Sequence, residues 1–286
     1  MGAQRTPRGR LLPGTAIEVL NEGVERGRIR HALFDFDGTL SLIRQGWQQV
    51  MIPMMVDILA QTPRAEERET MERVVTEFVE RLTGKQTIYQ MIQLCEEIRA
   101  RGGTPADPLE YKRQYHELLW EKIKGRVEGL KRGTISQEQM LVPGSKEILA
   151  ELRARGVKLY LASGTDRAFV IDEARALGIA QFFGEHIYGA LDDYRRFSKA
   201  MLIGQIIEEN NLSGPELVAF GDGYVEIENA KQAGGIAVGV ASDEVRRAGI
   251  NEWKRQRLIG AGADIIIPDF REARRLVAYL FAEEGC

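Results

Sequence analysis

Cysteine is almost missing from this chain: Cys95 and Cys286 are the only two in 286 residues, and they stand far apart. That excludes a disulfide framework and any Cys-rich zinc site. Histidine is nearly as scarce, and His31, His116 and His186 are scattered singly, which leaves no basis for a histidine-built metal centre. Long apolar runs are missing too. No segment is long enough to span a bilayer, and nothing near Met1 reads as the apolar stretch of a signal peptide, so the expectation is a cytoplasmic protein with no membrane partner. Neither sign of charge dominates. With 39 basic and 42 acidic residues the net charge is −3, which gives little attraction for nucleic acid or an anionic surface. Arg5, Arg8 and Arg10 read as a frayed terminus, not as a basic arm. Internal repeats and low-complexity segments are also lacking.

What is present is an ordinary globular composition, 44% hydrophobic and 28% charged, in a chain long enough for one large domain with a sizeable insertion. A short apolar run, "RHALFDFD" from Arg30 to Asp37, has the composition of a buried strand that meets a turn at Gly38. Similar runs return late: "VKLYLAS" from Val157, "ELVAFGD" from Glu216, "GIAVGVA" from Gly235 and "ADIIIPDF" from Ala263. Helical stretches separate them, from Pro143 to Gly156, from Arg167 to Leu177 and from about Ser198 to Glu209. Nearly continuous apolar strands alternating with helices predict a doubly wound parallel sheet, a Rossmann-like α/β core whose sites sit at the carboxyl ends of the strands. Between Leu42 and Leu141 the period changes to that of helices, as in "VVTEFVERL", "IYQMIQLCEEI" and "YKRQYHELLWEKI". This reads as about four helices inserted after the first strand, with Met91, Tyr115 and Trp120 in their core. The expected division is an N-terminal extension over 1–27, a core over 28–44 and 143–286, and a helical insertion over 45–142. The segment "SDEVRRAGINEWKRQRLIGAG" from Ser242 carries no legible function, and its "EWKRQR" reads as a solvated helix face.

Asp35 and Asp37 stand one residue apart where the first strand ends, so both carboxylates can reach the same side of the sheet edge. An Asx turn accounts for Asp37 but leaves Asp35, between Phe34 and Phe36, without a reason. Three further elements follow in order. "ASGT" sets Ser163, Gly164 and Thr165 at the end of the second strand-like run, at the mouth of a helix, where a hydroxyl and free N–H groups hold an anion. "RFSKAML" places Lys199 in a first helical turn. "FGDGYVEIENAKQAGG" supplies Asp222 and Glu226 after another strand, with Gly221 and Gly223 allowing a tight turn.

On these four motifs the chain resembles the haloacid dehalogenase superfamily, in its branch with a helical cap that includes phosphoglycolate phosphatases and β-phosphoglucomutases. "DFDGT" resembles the first motif, Ser163 the second, Lys199 the third and "GDGYVE" the fourth, and the insertion resembles the cap. The resemblance implies Asp35 as nucleophile, Asp37 as general acid and base, and Lys199 as charge balance. It implies that Ser163 binds the phosphoryl group with Gly38, Thr39 and Gly164, and that Mg2+ is held by Asp35, Asp37, Asp222 and Glu226. Two departures are visible: the family usually has Asp where Glu226 stands, and "SLIRQGW" follows Thr39 where relatives often carry an Asp-Ser pair. The second Asp of "DFDGT" separates phosphate-ester chemistry from dehalogenation and phosphonate cleavage, neither of which needs an acid for an alkoxide leaving group.

Elementary electrostatics agrees with these roles. A carboxylate attacking a phosphate dianion at about 4 Å, with an effective dielectric near 20, faces a repulsion of order 8 kcal/mol. One neutral hydrogen bond, about 1 kcal/mol net, does not offset that, whereas a divalent ion and an ammonium do. Leaving-group recognition falls to the cap, where Arg44, Trp47, Lys85 and Gln86 are the candidates. The expected activity is a magnesium-dependent phosphatase acting on a small phosphate ester, sugar phosphate-like, through an aspartyl-phosphate. The alternatives are a phosphosugar mutase with the same residues and a non-catalytic ligand-binding module. Whether the chain is a monomer or a homodimer is not encoded in any pattern of the sequence.

Overall fold

The structure, a computed structural model, describes residues 9–190, 199–211 and 214–283. Its centre is an eight-stranded sheet. The strands are β1 (Arg10–Leu11), β2 (Glu18–Val19), β3 (His31–Phe34), β4 (Lys158–Asp166), β5 (Ile187–Ala190), β6 (Leu217–Gly221), β7 (Ile236–Val240) and β8 (Ile265–Ile267). Their spatial order is β1-β2-β8-β7-β6-β3-β4-β5. The six strands from β3 onward pair in parallel, as the apolar runs predict. The sheet as a whole is mixed, because β1 and β2 form a hairpin that adds to β8 antiparallel. Two-residue strands carry no periodicity, so neither they nor the four-residue β5 stand out in the sequence.

The helices are α1 (Gln48–Leu59), α2 (Arg68–Leu82), α3 (Thr87–Ala100), α4 (Pro108–Arg132), α5 (Gln137–Met140), α6 (Ser145–Ala154), α7 (Arg167–Ala176), α8 (Ala180–Phe183), α9 (Lys199–Asn210), α10 (Tyr224–Gln232), α11 (Glu252–Gly260) and α12 (Ala273–Leu280). The first six lie between β3 and β4, and α1 to α4 take up most of that interval. The longest, α4, shows how its ends are written locally: Asp107 accepts from the Leu109 amide, Pro108 opens the first turn, and Gly133 closes it with a left-handed φ of 73°. Met51, Met55, Val75, Phe78, Met91, Leu94, Tyr115, Leu119 and Ile123 are buried among these four helices. Trp120, expected in that core, is 40% exposed: it follows Leu119 on the outward face of α4.

Alternation along the strands feeds two apolar layers. Phe34, Leu161, Phe220 and Val238 face one side, where Phe34 stacks on Phe220 at 4.5 Å between centroids, and Leu33, Tyr160, Ala219 and Ala237 face the other. The register of the central strands sets the site. Phe34 is level with both Leu161 and Phe220, so the residues that follow each strand emerge together at one edge. β3, first of the parallel strands in the chain, lies between β4 and β6, so crossovers leave it in both directions and open a crevice at its carboxyl end.

Candidate active site

Asp35 leaves β3 with its amide bonded to the Phe220 carbonyl at 2.9 Å, and its side chain is 6% exposed. Gly38 then turns the chain with φ 75°, where a Cβ would lie 2.2 Å from Asp222 Oδ2. Only glycine fits both the turn and that approach. Thr39 is fully buried, and its hydroxyl accepts from the Asp222 amide at 2.9 Å, tying the first loop to the one after β6. Asp35, Asp37, Gly38, Ser163, Gly164, Thr165 and Asp222 line a single cleft, and Arg44, Trp47, Lys85, Thr87, Gln90 and Tyr115 close over it from the helical side.

Asp37 takes its bonds from β4. Ser163 donates to Oδ2 at 3.3 Å and Thr165 to the same oxygen at 2.9 Å, while the Thr165 amide donates to Ser163 Oγ at 3.0 Å. The Ser163-Gly164-Thr165 stretch lies inside β4, not at a helix mouth as the sequence suggested, because the strand continues to Asp166 before α7 begins. Asp37 Oδ1 has no hydrogen-bond partner among the described residues, and Arg44 Nε stands 3.8 Å away. Burial dominates and pushes the Asp37 carboxyl up to about 6; Arg44 and the Thr165 bond pull it down, and Glu173 and Asp222 push it up.

Arg44 lines the cleft, yet its guanidinium is committed elsewhere. It grips Glu173 of α7 through Nη2 at 2.6 Å and Nε at 3.2 Å, with both side chains under a tenth exposed. Thr165, the last residue of the "ASGT" stretch, does line the cleft, whereas Glu173 lies behind Arg44, outside the lining, and no sequence pattern singles it out. Lys85 lies against β4: its carbonyl would be 3.0 Å from a Cβ at Gly164, so that glycine permits the loop before α3 to approach. Gln86 is buried at the start of α3 and is not a cleft-lining side chain. Glu226 is fully buried in α10, its carboxylate packed beside Gly221 and Gly223, outside the cleft lining. Lys199 is the first residue of α9, and its side chain lies outside the described residues.

The segment after β7 reaches this site. Ser242 donates to the Gly38 carbonyl at 2.6 Å, Glu244 lines the cleft, and Lys254 of α11 bonds Asp222 Oδ2 at 2.7 Å. "EWKRQR" is a solvated face only in part: Glu252, Trp253 and Gln256 are exposed, but Lys254 and Arg255 are buried, drawn in by carboxylates that are distant in sequence. Among the described residues no three carboxylate, histidine or cysteine groups gather tightly enough to cage a metal alone. The cleft nonetheless offers carboxylate oxygens from Asp35, Asp37, Asp222 and Glu244, and among the described residues the buried Asp37 Oδ1 has no hydrogen-bond donor. That set suits a hard cation such as magnesium, which binds through one or two carboxylates and completes its shell with water and substrate oxygens.

Comparison with known proteins gives a consistent result. A family profile described as "Hydrolase: haloacid dehalogenase-like hydrolase" matches residues 29–234. A search of curated proteins finds no match. Among solved structures, a predicted phosphoglycolate phosphatase from Haemophilus somnus superposes with a TM-score of 0.58 at 17% identity, over 87% of this chain and 98% of its own. A β-phosphoglucomutase from Clostridium difficile gives 0.60 at 14% identity, over 89% and 98%. A haloacid dehalogenase family hydrolase from Deinococcus radiodurans, with bound phosphate and sodium, gives 0.55 at 18%, over 91% and 100%. At these identities the likeness is one of fold.

Proposed function

This chain belongs to the haloacid dehalogenase-like hydrolases, and from that premise we propose that it is a magnesium-dependent phosphatase of a small, sugar-like phosphate ester. The observation that carries the reading is the meeting of Asp35, Asp37, Ser163 and Asp222 in one cleft from the ends of three adjacent parallel strands. Asp35 is the nucleophile. Its carboxylate oxygen attacks phosphorus, the bond from phosphorus to the ester oxygen breaks, and the proton of Asp37 passes to that departing oxygen. Water then attacks the aspartyl-phosphate, Asp37 takes back a proton, and the acyl phosphate bond opens to release inorganic phosphate and restore Asp35.

A carboxyl held near 6 is suited to giving and regaining a proton close to neutrality. Ser163 and Gly164 are placed to receive the phosphoryl oxygens, and Lys199 is assigned to charge balance through the family resemblance. Asp35, Asp222 and the Asp37 carbonyl would hold magnesium, which supplies the positive charge that lets an anionic nucleophile approach an anionic phosphate. The cap contributes Trp47, Lys85, Thr87 and Gln90 to the cleft, an aromatic face with neutral and cationic polar groups that suits a hydroxylated leaving group.

The test is phosphate release from a panel of small phosphate monoesters, with and without magnesium, comparing the native chain with Asp35→Asn. Expected is magnesium-dependent release that falls at least about a thousandfold in the variant. Isomerised sugar phosphate without free phosphate would replace the hydrolase by a mutase. No turnover of either kind would leave a ligand-binding module.

A further inference from the structure

The loop after β7 and the start of α11 bring two charged groups to the site that none of the four motifs contains. Lys254 Nζ lies 2.7 Å from Asp222 Oδ2, 2.7 Å from Glu244 Oε1 and 3.2 Å from Ser242 Oγ, and the residue is 8% exposed. Its position is costly by two local measures. It is the third helical residue after the Asn251 cap of α11, where the helix dipole opposes a cation, and burial opposes its charge as well. Against burial, Asp222 and Glu244 hold the Lys254 ammonium above its ordinary range. The placement thus serves the carboxylates, not the helix.

Asp222 Oδ2 and Glu244 Oε1 face one small space. A Cβ on Gly38 would come within 2.2 Å of the first and 3.1 Å of the second. An ammonium bonded to Asp222 Oδ2 and a divalent ion bound to the same carboxylate repel each other, so the two compete. Lysine has a flexible stem, and Glu244 with Ser242 offers it a place to remain once Asp222 is taken.

We propose that Lys254 is a built-in cation that shares Asp222 with the divalent ion, and that Glu244 is the carboxylate onto which it withdraws when the ion binds. Both are positioning residues that set metal affinity. The inference rests on the magnesium reading above.

The experiment measures binding of Mn2+ alone to the full chain, by calorimetry and by the electron paramagnetic resonance of free Mn2+, with no turnover involved. Lys254→Met is expected to bind Mn2+ about tenfold more tightly than the native chain, Lys254→Arg to restore native affinity, and Glu244→Gln to bind about tenfold more weakly. Damage to packing would weaken binding, so the tightening is the discriminating sign. Should Lys254→Met not fold, Lys254→Gln carries the same expectation. Equal or weaker binding in a folded Lys254 variant lacking the charge, or unchanged binding in Glu244→Gln, overturns the inference while leaving the phosphatase intact. A native chain that binds no Mn2+ at millimolar concentration removes the metal reading itself, and the inference with it.

Discussion

Asp37 has to be an acid in one half of the proposed reaction and a base in the other, so its neighbours must hold it between those states. The Thr165 hydroxyl stabilises the carboxylate form through its 2.9 Å bond, against the burial that favours the acid. A hydrogen bond to a charged group contributes roughly 1.5–3 kcal/mol. Thr165→Val, which keeps the shape and removes the donor, is therefore expected to leave more of Asp37 protonated at neutral pH and slow breakdown of the aspartyl-phosphate by about tenfold or more. Rapid-mixing kinetics would show this as a larger burst of leaving group ahead of phosphate release, and unchanged burst and turnover would remove Thr165 from the proton relay. Gly38 makes the second test at this scale. An alanine there must adopt φ near 75° and crowd the Asp222 carboxylate, so Gly38→Ala is expected to lower stability by about 2–3 kcal/mol in chemical denaturation. A loss under a few tenths would mean the loop relaxes freely.

Two elements, α4 of the helical insertion and α7 after β4, meet over charged side chains. Lys112 Nζ bonds Asp166 Oδ1 at 2.5 Å, His116 Nδ1 stands 3.7 Å from Asp166 Oδ2, and its ring meets Phe169 edge-on at 5.7 Å. Burial lowers the His116 imidazole to about 4, partly countered by Asp166 and reinforced by Lys112 and Arg44. The unfolded chain, with an ordinary histidine near 6.5, binds more protons between those two values. Stability from neutral His116 is complete above about 6.5 and lost as pH falls toward 4, and it is worth roughly 3 kcal/mol across the window. His116→Leu should narrow the native chain's acid sensitivity by that order, seen by comparing the two in denaturant at pH 7 and at pH 4; a stability difference that stays constant between them would refute it. Arg44 and Glu173 link the first loop to α7 in the same way. Glu173→Ala takes the closer ion pair from a buried guanidinium and leaves it Asp37 at 3.8 Å among the described residues, and a loss of about 3 kcal/mol or more is expected in thermal unfolding. The helices themselves were legible in the sequence, because a 3.6-residue period and end signals such as Pro108 and Gly133 are local. Their charged contacts were not, since Arg44 and Glu173 lie 129 residues apart and no local pattern joins them.

Across the whole molecule the same division holds. Asp35, Asp37, Ser163 and Asp222 were readable because strand ends and turn glycines mark them, and the parallel register brings those ends together. Glu244 and Lys254 were not readable, because their place in the cleft depends on how the loop after β7 folds back through the Ser242–Ile250 bridge. Nor was the part played by the N-terminal hairpin, whose strands are too short to show alternation. That hairpin is tied to α11 by a buried pair: Arg255 Nη2 and Nε bond Glu18 Oε1 and Oε2, each at 2.7 Å, with both side chains under a tenth exposed. Arg255 is the neighbour of Lys254, so the hairpin at the sheet edge, through β2, is also tied to the helix that reaches Asp222. Glu18→Ala takes two bonds from a buried guanidinium that keeps its bond to Glu252 Oε1 at 2.8 Å, and breaking a buried pair typically costs up to about 3–5 kcal/mol. In Glu18→Ala, hydrogen exchange is expected to quicken in β1, β2 and α11 together, while the amides of β3 and β4 stay protected and Mn2+ affinity shifts with the loosened Lys254. Faster exchange confined to the hairpin, with α11 and metal affinity unchanged, would show that the N-terminal strands only cover the sheet edge and do not support the site.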